Sequence, residues 1–157
     1  MTSGGSDQNL SLGILIYSDR GNAETVELAK LSESLGCNYF WYTDVRFARE
    51  CYVVLGSIAS ATKNILLAPG VTDPYSRHPA LTAVAIATLD EMSNGRAVLG
   101  LGVGAAGFKE LGITPVLPIA AMREAIAVFR GLLTGNEVTV EGKVISLEGG
   151  ALTFEPV

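Results

Sequence analysis

The stretch Ala68-Pro69-Gly70-Val71-Thr72-Asp73-Pro74-Tyr75 decides how this chain is read. It ends an apolar run, Ile65-Leu66-Leu67-Ala68, of the length of a buried strand, and leads through Pro-Gly into a polar loop that reaches Arg77. Pro79 then sits where the first turn of a helix tolerates proline. Behind it Leu81, Val84, Ala85, Thr88, Leu89 and Met92 recur at three and four residues, which predicts a helix with that face inward, stopped at Asn94-Gly95. Strand, turn and helix are all legible here, and the rest of the chain repeats the unit.

Upstream, Leu12-Gly13-Ile14-Leu15-Ile16-Tyr17 reads as a first strand. Asn22 is expected to cap a helix carrying Val26, Ala29, Leu31 and Leu35, with Gly36 as its left-handed stop. Tyr39-Phe40-Trp41-Tyr42-Thr43-Asp44 is a second strand, rich in the aromatic residues that suit a pleated surface. Its helix is expected from Arg49 to Ala61, with Val54, Leu55, Ile58 and Ala59 on one face. Downstream, Ala97 to Gly102 reads as a fourth strand. Pro118 opens a fourth helix, with Met122, Ile126, Phe129 and Leu133 facing inward and Gly135 as its stop. Val138-Thr139-Val140 and Val144-Ile145-Ser146-Leu147, flanking Glu141-Gly142-Lys143, predict a hairpin.

Strands alternating with helices define an α/β chain with a parallel sheet and right-handed crossovers. Two architectures fit, a doubly wound open sheet or part of a closed barrel. No Gly-x-Gly-x-x-Gly follows the first strand, which argues against a dinucleotide-binding open sheet. Gly102-Val103-Gly104 makes a poor phosphate loop, because the next glycine is Gly107 and no helix opens there.

The 157 residues suit one domain with a sizeable core. At 48% hydrophobic and 17% charged, the chain is apolar in a way that strands covered on both faces explain. The longest apolar stretch, Ala80 to Leu89, falls short of the about 20 residues a membrane span needs, so no membrane partner is expected. A formal charge of −5 with scattered basic residues leaves no nucleic-acid footprint. Cys37 and Cys51 lack metal-ligand spacing and read as two reduced thiols, with no metal site. Residues 1–10 read as a disordered polar tail and 11–157 as the folded domain. The tail lacks the order of a signal peptide, so a cytoplasmic setting is expected.

Two segments carry a family resemblance: Pro69-Gly70-Val71-Thr72-Asp73-Pro74-Tyr75-Ser76-Arg77-His78-Pro79, and Ala85-Ile86-Ala87-Thr88-Leu89-Asp90-Glu91-Met92-Ser93-Asn94-Gly95-Arg96. They resemble the luciferase-like flavin- and deazaflavin-dependent oxidoreductases, and within them the methylenetetrahydromethanopterin reductases. A weaker match runs from Trp41-Tyr42-Thr43-Asp44 to Met122-Arg123-Glu124-Ala125. The resemblance implies a (β/α)8 TIM-barrel fold, of which this chain supplies the first half: about four βα units plus the hairpin. A complete barrel takes roughly 250 residues. The missing strands imply either an absent C-terminal half or a homo-oligomer that covers the open edges.

The active site of such a barrel lies at the C-terminal ends of the strands. That rule selects Tyr17-Ser18, Thr43-Asp44, Gly70-Val71-Thr72 and Gly102-Val103-Gly104. Glycine lets backbone approach a planar ring closely, and the resemblance implies a non-prolyl cis peptide at Gly70-Val71 that backs the ring. Gly70, Val71, Thr72, Gly102, Gly104 and Asp44 are therefore the expected cofactor-binding residues, with coenzyme F420 as the cofactor and FMN as the alternative. Asp44 is also the candidate catalytic residue, able to orient the polar ring edge or move a proton; its bland role is a loop or cap residue. Asp73 is expected at the cofactor edge or as a cap of the turn, and His78 as a helix cap rather than a base. Many deazaflavin-dependent relatives carry His where Val45 stands, and the methanopterin reductases carry Glu at the place of Leu15. Those departures thin the proton inventory and leave the substrate open.

The resemblance implies an oxidoreductase passing hydride between a deazaflavin and a small, methylene-pterin-like substrate. The alternatives are an FMN-dependent monooxygenase of the same superfamily and a catalytically silent half-barrel acting in assembly. Barrels often bind phosphate after the seventh and eighth strands, so this chain by itself is expected to hold cofactor weakly.

Overall fold

The computed structural model describes residues 10–104 and 107–157; the expected tail lies, but for Leu10, outside the described residues. Three strands pair in parallel in the order β1 (Gly13–Ile16), β2 (Tyr39–Tyr42), β3 (Leu66–Pro69), with Gly13 opposite Tyr39 and Tyr39 opposite Leu66. Helices α1 (Asn22–Ser34), α2 (Cys51–Ala61) and α3 (Pro79–Ser93) each follow a strand, as a parallel sheet requires. Phe40, Tyr42 and Leu67 face this helix layer and are fully buried against Leu55, Ile58 and Leu89. Leu15 and Trp41 face the other way, into the concave side of the sheet.

The fourth strand departs from its expected form. Ala97 to Gly102 touches β3 through two separate parallel bridges, Leu67 with Ala97 and Thr72 with Leu101. Pro69 has no N–H to continue the ladder between them. β3 and its turn also carry one residue more than the partner between the bridges, so the chain bulges at Gly70-Val71. Beyond the bulge the pairing resumes, Thr72 donating its N–H to Gly100 O at 3.0 Å and Gly102 to Thr72 O at 2.9 Å.

Most helix limits follow the reading, and the differences have local causes. Asn22 does not cap α1; Gly21 is the N-cap, and the Asn22 side chain reaches Ser57 of α2 instead. α2 begins at Cys51 because the Glu50 carboxylate accepts from Val53 N at 2.8 Å, a cap not foreseen. Asn94, at φ 56°, and Gly95, at φ 79°, end α3 in the left-handed region as expected. Of the expected α3 face Leu89 is buried and Ala85 half-buried, but the helix is turned from the expected orientation. Thr82, Ala83, Ile86, Ala87 and Leu89 are buried, while Leu81, Val84, Thr88 and Met92 are exposed. Small residues lie against the sheet because α3 packs between α2 and α4 and needs close approach.

Helix α4 (Pro118–Leu132) likewise buries Ala121, Ala125, Val128, Phe129 and Leu132, leaving Ile126 exposed and Met122 and Leu133 half-buried. The hairpin is β4 (Val138–Glu141) with β5 (Ser146–Gly150), antiparallel. Val144 and Ile145 leave the expected second strand because the Glu124 carboxylate draws the backbone N–H groups of Lys143, Val144 and Ile145 into a turn. Among the described residues no helix is long and apolar enough to cross a membrane.

Candidate active site

The C-terminal ends of the strands bring the Gly70-Val71 turn, Asp44 and the glycines after the 97–102 segment to one edge of the sheet. The Gly70–Val71 peptide is cis. Val71 is exposed on the concave side and Gly70 half-buried. A Cβ on Gly70 would stand 2.8 Å from Leu15 Cδ1 and 3.3 Å from Trp41 Cβ, so the turn rests directly on those two side chains.

Trp41 is the floor of this region, and the sequence reading gave it no such place. Its indole lies across the sheet between two glycines: a Cβ on Gly13 would come within 3.2 Å of Nε1, and one on Gly100 within 2.8 Å of Cζ3. Tyr39 stacks beside it, ring centroids 6.1 Å apart. The signal was present in the period of two, which puts Trp41 and Tyr39 on the face opposite Phe40 and Tyr42.

Gly102 and Gly104 stand at the rim, and the space beside each is already filled by the chain itself. A Cβ on Gly102 would meet Val71 Cγ2 at 2.7 Å; one on Gly104, at φ 67°, would meet Phe108 at 2.8 Å and Asp73 at 3.0 Å. Packing accounts for both glycines. Thr72 is 1% exposed, with its backbone engaged by Gly100 and Gly102 and its side chain beside Tyr52 of α2 in the helix layer. It is not brought to the open face with Gly70 and Val71.

Asp44 is half-buried past the end of β2, and among the described residues its carboxylate accepts no hydrogen bond. Its backbone carbonyl accepts from Arg46 Nη1 at 2.9 Å. Arg46 was missed in the sequence. It pairs with Asp73, donates to Ser76 Oγ at 2.9 Å and covers the Phe108 ring at 5.0 Å. Asp73 also accepts from Tyr75 N and Ser76 N, each at 2.8 Å, and from Ser76 Oγ at 2.7 Å, so its carboxylate is consumed in capping the turn. An Asp two residues before a Tyr-Ser pair is a readable turn signal; its arginine partner, in a different loop, is not.

The remaining candidates are structural. His78 Nδ1 accepts from Ala80 N, which makes it the cap of α3, and Nε2 faces Ser146 O at 3.0 Å. Cys51 Sγ contacts Tyr42 O, and burial, reinforced by the Asp44 and Glu50 carboxylates, pushes the thiol pKa far up, so it stays protonated. No group of three metal-ligating side chains forms among the described residues. What remains on the concave side is an apolar platform of Leu15, Trp41, Gly70 and Val71, while the Asp44 carboxylate lies past the end of β2, near enough to Cys51 and Tyr52 of α2 to act on both.

Residues 9–157 match the model of the luciferase-like monooxygenase family, and the chain belongs to that family. It is 41% identical over 148 residues to 5,10-methylenetetrahydromethanopterin reductase of Archaeoglobus fulgidus, covering 94% of this chain and 45% of the relative. Its fold matches the coenzyme F420 dependent tetrahydromethanopterin reductase from Methanopyrus kandleri with a TM-score of 0.88 and 34% identity, over 93% of this chain and 46% of that one. An FMN-bound diketocamphane monooxygenase component from Pseudomonas putida shares the fold alone, at TM-score 0.76 and 20% identity, over 87% of this chain and 43% of that one. The chain thus spans about half the length of the relatives it matches, and its fold is half of a luciferase-like (β/α)8 barrel.

Proposed function

We propose that this chain forms the ring-binding half of a coenzyme F420-dependent oxidoreductase that passes hydride to a small, methylene-pterin-like substrate. The observation that carries the reading is the apolar platform at Gly70-Val71, in a chain 41% identical to a 5,10-methylenetetrahydromethanopterin reductase and 34% identical to a coenzyme F420 dependent one. A planar ring fits this surface: Gly70 lets the turn settle closely on Leu15 and Trp41, which hold it from beneath, and Val71 is exposed above them. Bound there, F420 supplies the hydride. The protein's contribution is placement and exclusion of water.

Asp44 is proposed to bind the polar edge of the ring and to hold or move a proton there, since its carboxylate is free of protein partners. Gly102 and Gly104 shape the rim, and Thr72 fixes the turn to the 97–102 segment through its backbone hydrogen bonds. With Val45 and Leu15 standing where relatives carry acid–base groups, Asp44 is the carboxylate to which this reading gives the proton, a poorer supply than two groups would give. A cytoplasmic setting belongs to the same proposal and fits two thiols, Cys37 and Cys51, that are not paired.

The test is a chimera in which this chain replaces the matching segment of the A. fulgidus reductase. Oxidation of reduced deazaflavin by methylene-tetrahydromethanopterin, without oxygen uptake, is the expected result. Oxygen consumption with reduced FMN would favour the monooxygenase reading. Absence of turnover with either donor, in a chimera that binds the ring, would favour a silent assembly half.

A further inference from the structure

We propose that Tyr52 is a positioning residue for the ring platform: its buried hydroxyl bonds to that of Thr72 and so holds the Gly70-Val71 turn against Trp41. The inference deepens the proposed function and rests on that reading for its effect on cofactor binding. The brace itself concerns this chain alone.

The turn needs such a support. Gly70 donates its N–H to Tyr42 O at 2.7 Å, and Thr72 is bonded to the 97–102 segment through both its backbone groups. Between them, among the described residues, neither backbone group of Val71 is hydrogen-bonded. The place of Val71 is therefore set by its two neighbours, and Thr72 is the one with a side chain in the helix layer.

Tyr52 meets Thr72 there. Tyr52 Oη and Thr72 Oγ1 are both closed off from solvent, and both lack a completed hydrogen bond. Leaving two buried hydroxyls unpaired is costly, and each can donate or accept by turning its O–H. Burial pushes the Tyr52 pKa far up, and Thr72 is the neighbour whose hydrogen bonding works against that rise. A bond between the two satisfies both. The Tyr52 ring is fixed separately. Arg77 covers it, with Cζ 5.0 Å from the ring centroid, and pairs with Glu50, whose carboxylate also caps α2 at Val53 N. The loop is thus held around Tyr52 at both ends, Thr72 at the hydroxyl and Arg77 across the ring. Tyr42 gives the contrast: its hydroxyl is also buried and unpaired, but the groups that act on it are Arg49, Cys51 and Asp19.

Trp41 is the one tryptophan of the chain and lies beneath the turn, so acrylamide quenching of its fluorescence reads the platform without any cofactor. In the 157-residue chain Tyr52→Phe and Thr72→Val should each raise the quenching constant, and the double variant should raise it no further. Tyr42→Phe, which removes an equally buried hydroxyl, should leave it at the wild-type value. In the chimera Tyr52→Phe should raise the deazaflavin Kd about tenfold and leave the acid limb of the kcat–pH profile in place. Wild-type quenching in Tyr52→Phe overturns the proposal even if the urea midpoint falls, as do additive effects in the double variant. An acid limb that moves at unchanged Kd also overturns it, because Tyr52 then acts on Asp44 and not on the turn. A parent chimera that binds no deazaflavin counts against the proposed function alone, and the quenching still decides the brace.

Discussion

Asp44 and Asp73 show how two carboxylates in neighbouring turns acquire different work. Asp73 is fully buried and satisfied by Arg46, two backbone N–H groups and a hydroxyl. Removing it in Asp73→Ala leaves Arg46, itself largely buried, without its counter-charge, and we expect a loss of about 3 kcal/mol in urea unfolding. Asp44 has no such commitment. If it binds the ring edge and moves a proton in the proposed reaction, Asp44→Asn in the chimera will lower kcat by about a hundredfold and weaken deazaflavin binding in a fluorescence titration. An unchanged kcat would return it to a loop role. Arg96 was visible in the sequence only as part of Ser93-Asn94-Gly95-Arg96. In the structure its guanidinium donates to Ser93 O, Thr62 Oγ1, Ile65 O, Ala59 O and Thr62 O, all at 3.1 Å or less. It joins the end of α2 to the start of β3. Lysine has a single nitrogen and cannot repeat that fork, so Arg96→Lys should cost about 3 kcal/mol by the same measurement.

At the scale of elements, carboxylates tie helices to the backbone of the next segment. Glu33 near the end of α1 accepts from Lys63, Asn64 and Ile65 N–H just before β3. Burial works to raise its pKa, but the three backbone donors, helped by Arg96, outweigh it and hold the pKa below the ordinary glutamate value. A depressed folded pKa means that the stabilisation is complete above the unfolded value and is lost as pH falls through the lowered one. Urea midpoints of wild type should therefore drop between about pH 5 and 3 more steeply than those of Glu33→Gln. Equal pH slopes would show that the carboxylate charge is not what matters there. Existence and order of the elements were legible, because Pro79 and Pro118 open helices and Gly36, Asn94 and Gly95 close them through local backbone preference. The inward faces of α3 and α4 were legible only in part: Leu89 and Phe129 are buried as expected, the rest of each face differs. Leucine and methionine spacing marked Leu81, Met92 and Ile126 as core, whereas helices this close bury Ala83, Ala121 and Ala125 and turn the larger chains outward.

For the whole molecule, the open half-barrel sets a limit on ligand binding. The loops after later strands that often take phosphate in such barrels are not among these residues. Fluorescence titration of the isolated chain with F420 or FMN should accordingly show no saturable binding at micromolar concentration. Saturation there would place the determinants of affinity within these 157 residues. The sequence by itself determined the alternation of strand and helix, the Pro-Gly turn at Gly70-Val71 and the family, since each rests on residues adjacent in the chain or repeating at a fixed period. The tertiary structure decided the rest. Pro69, with no N–H, and the extra residue at the turn reduced the 97–102 segment to two bridges. Arg46 took Asp73 out of the site, and Trp41 became the floor by fitting between Gly13 and Gly100. Those outcomes depend on which side chains meet across about 27 to 59 residues of chain, a geometry that local preference does not encode.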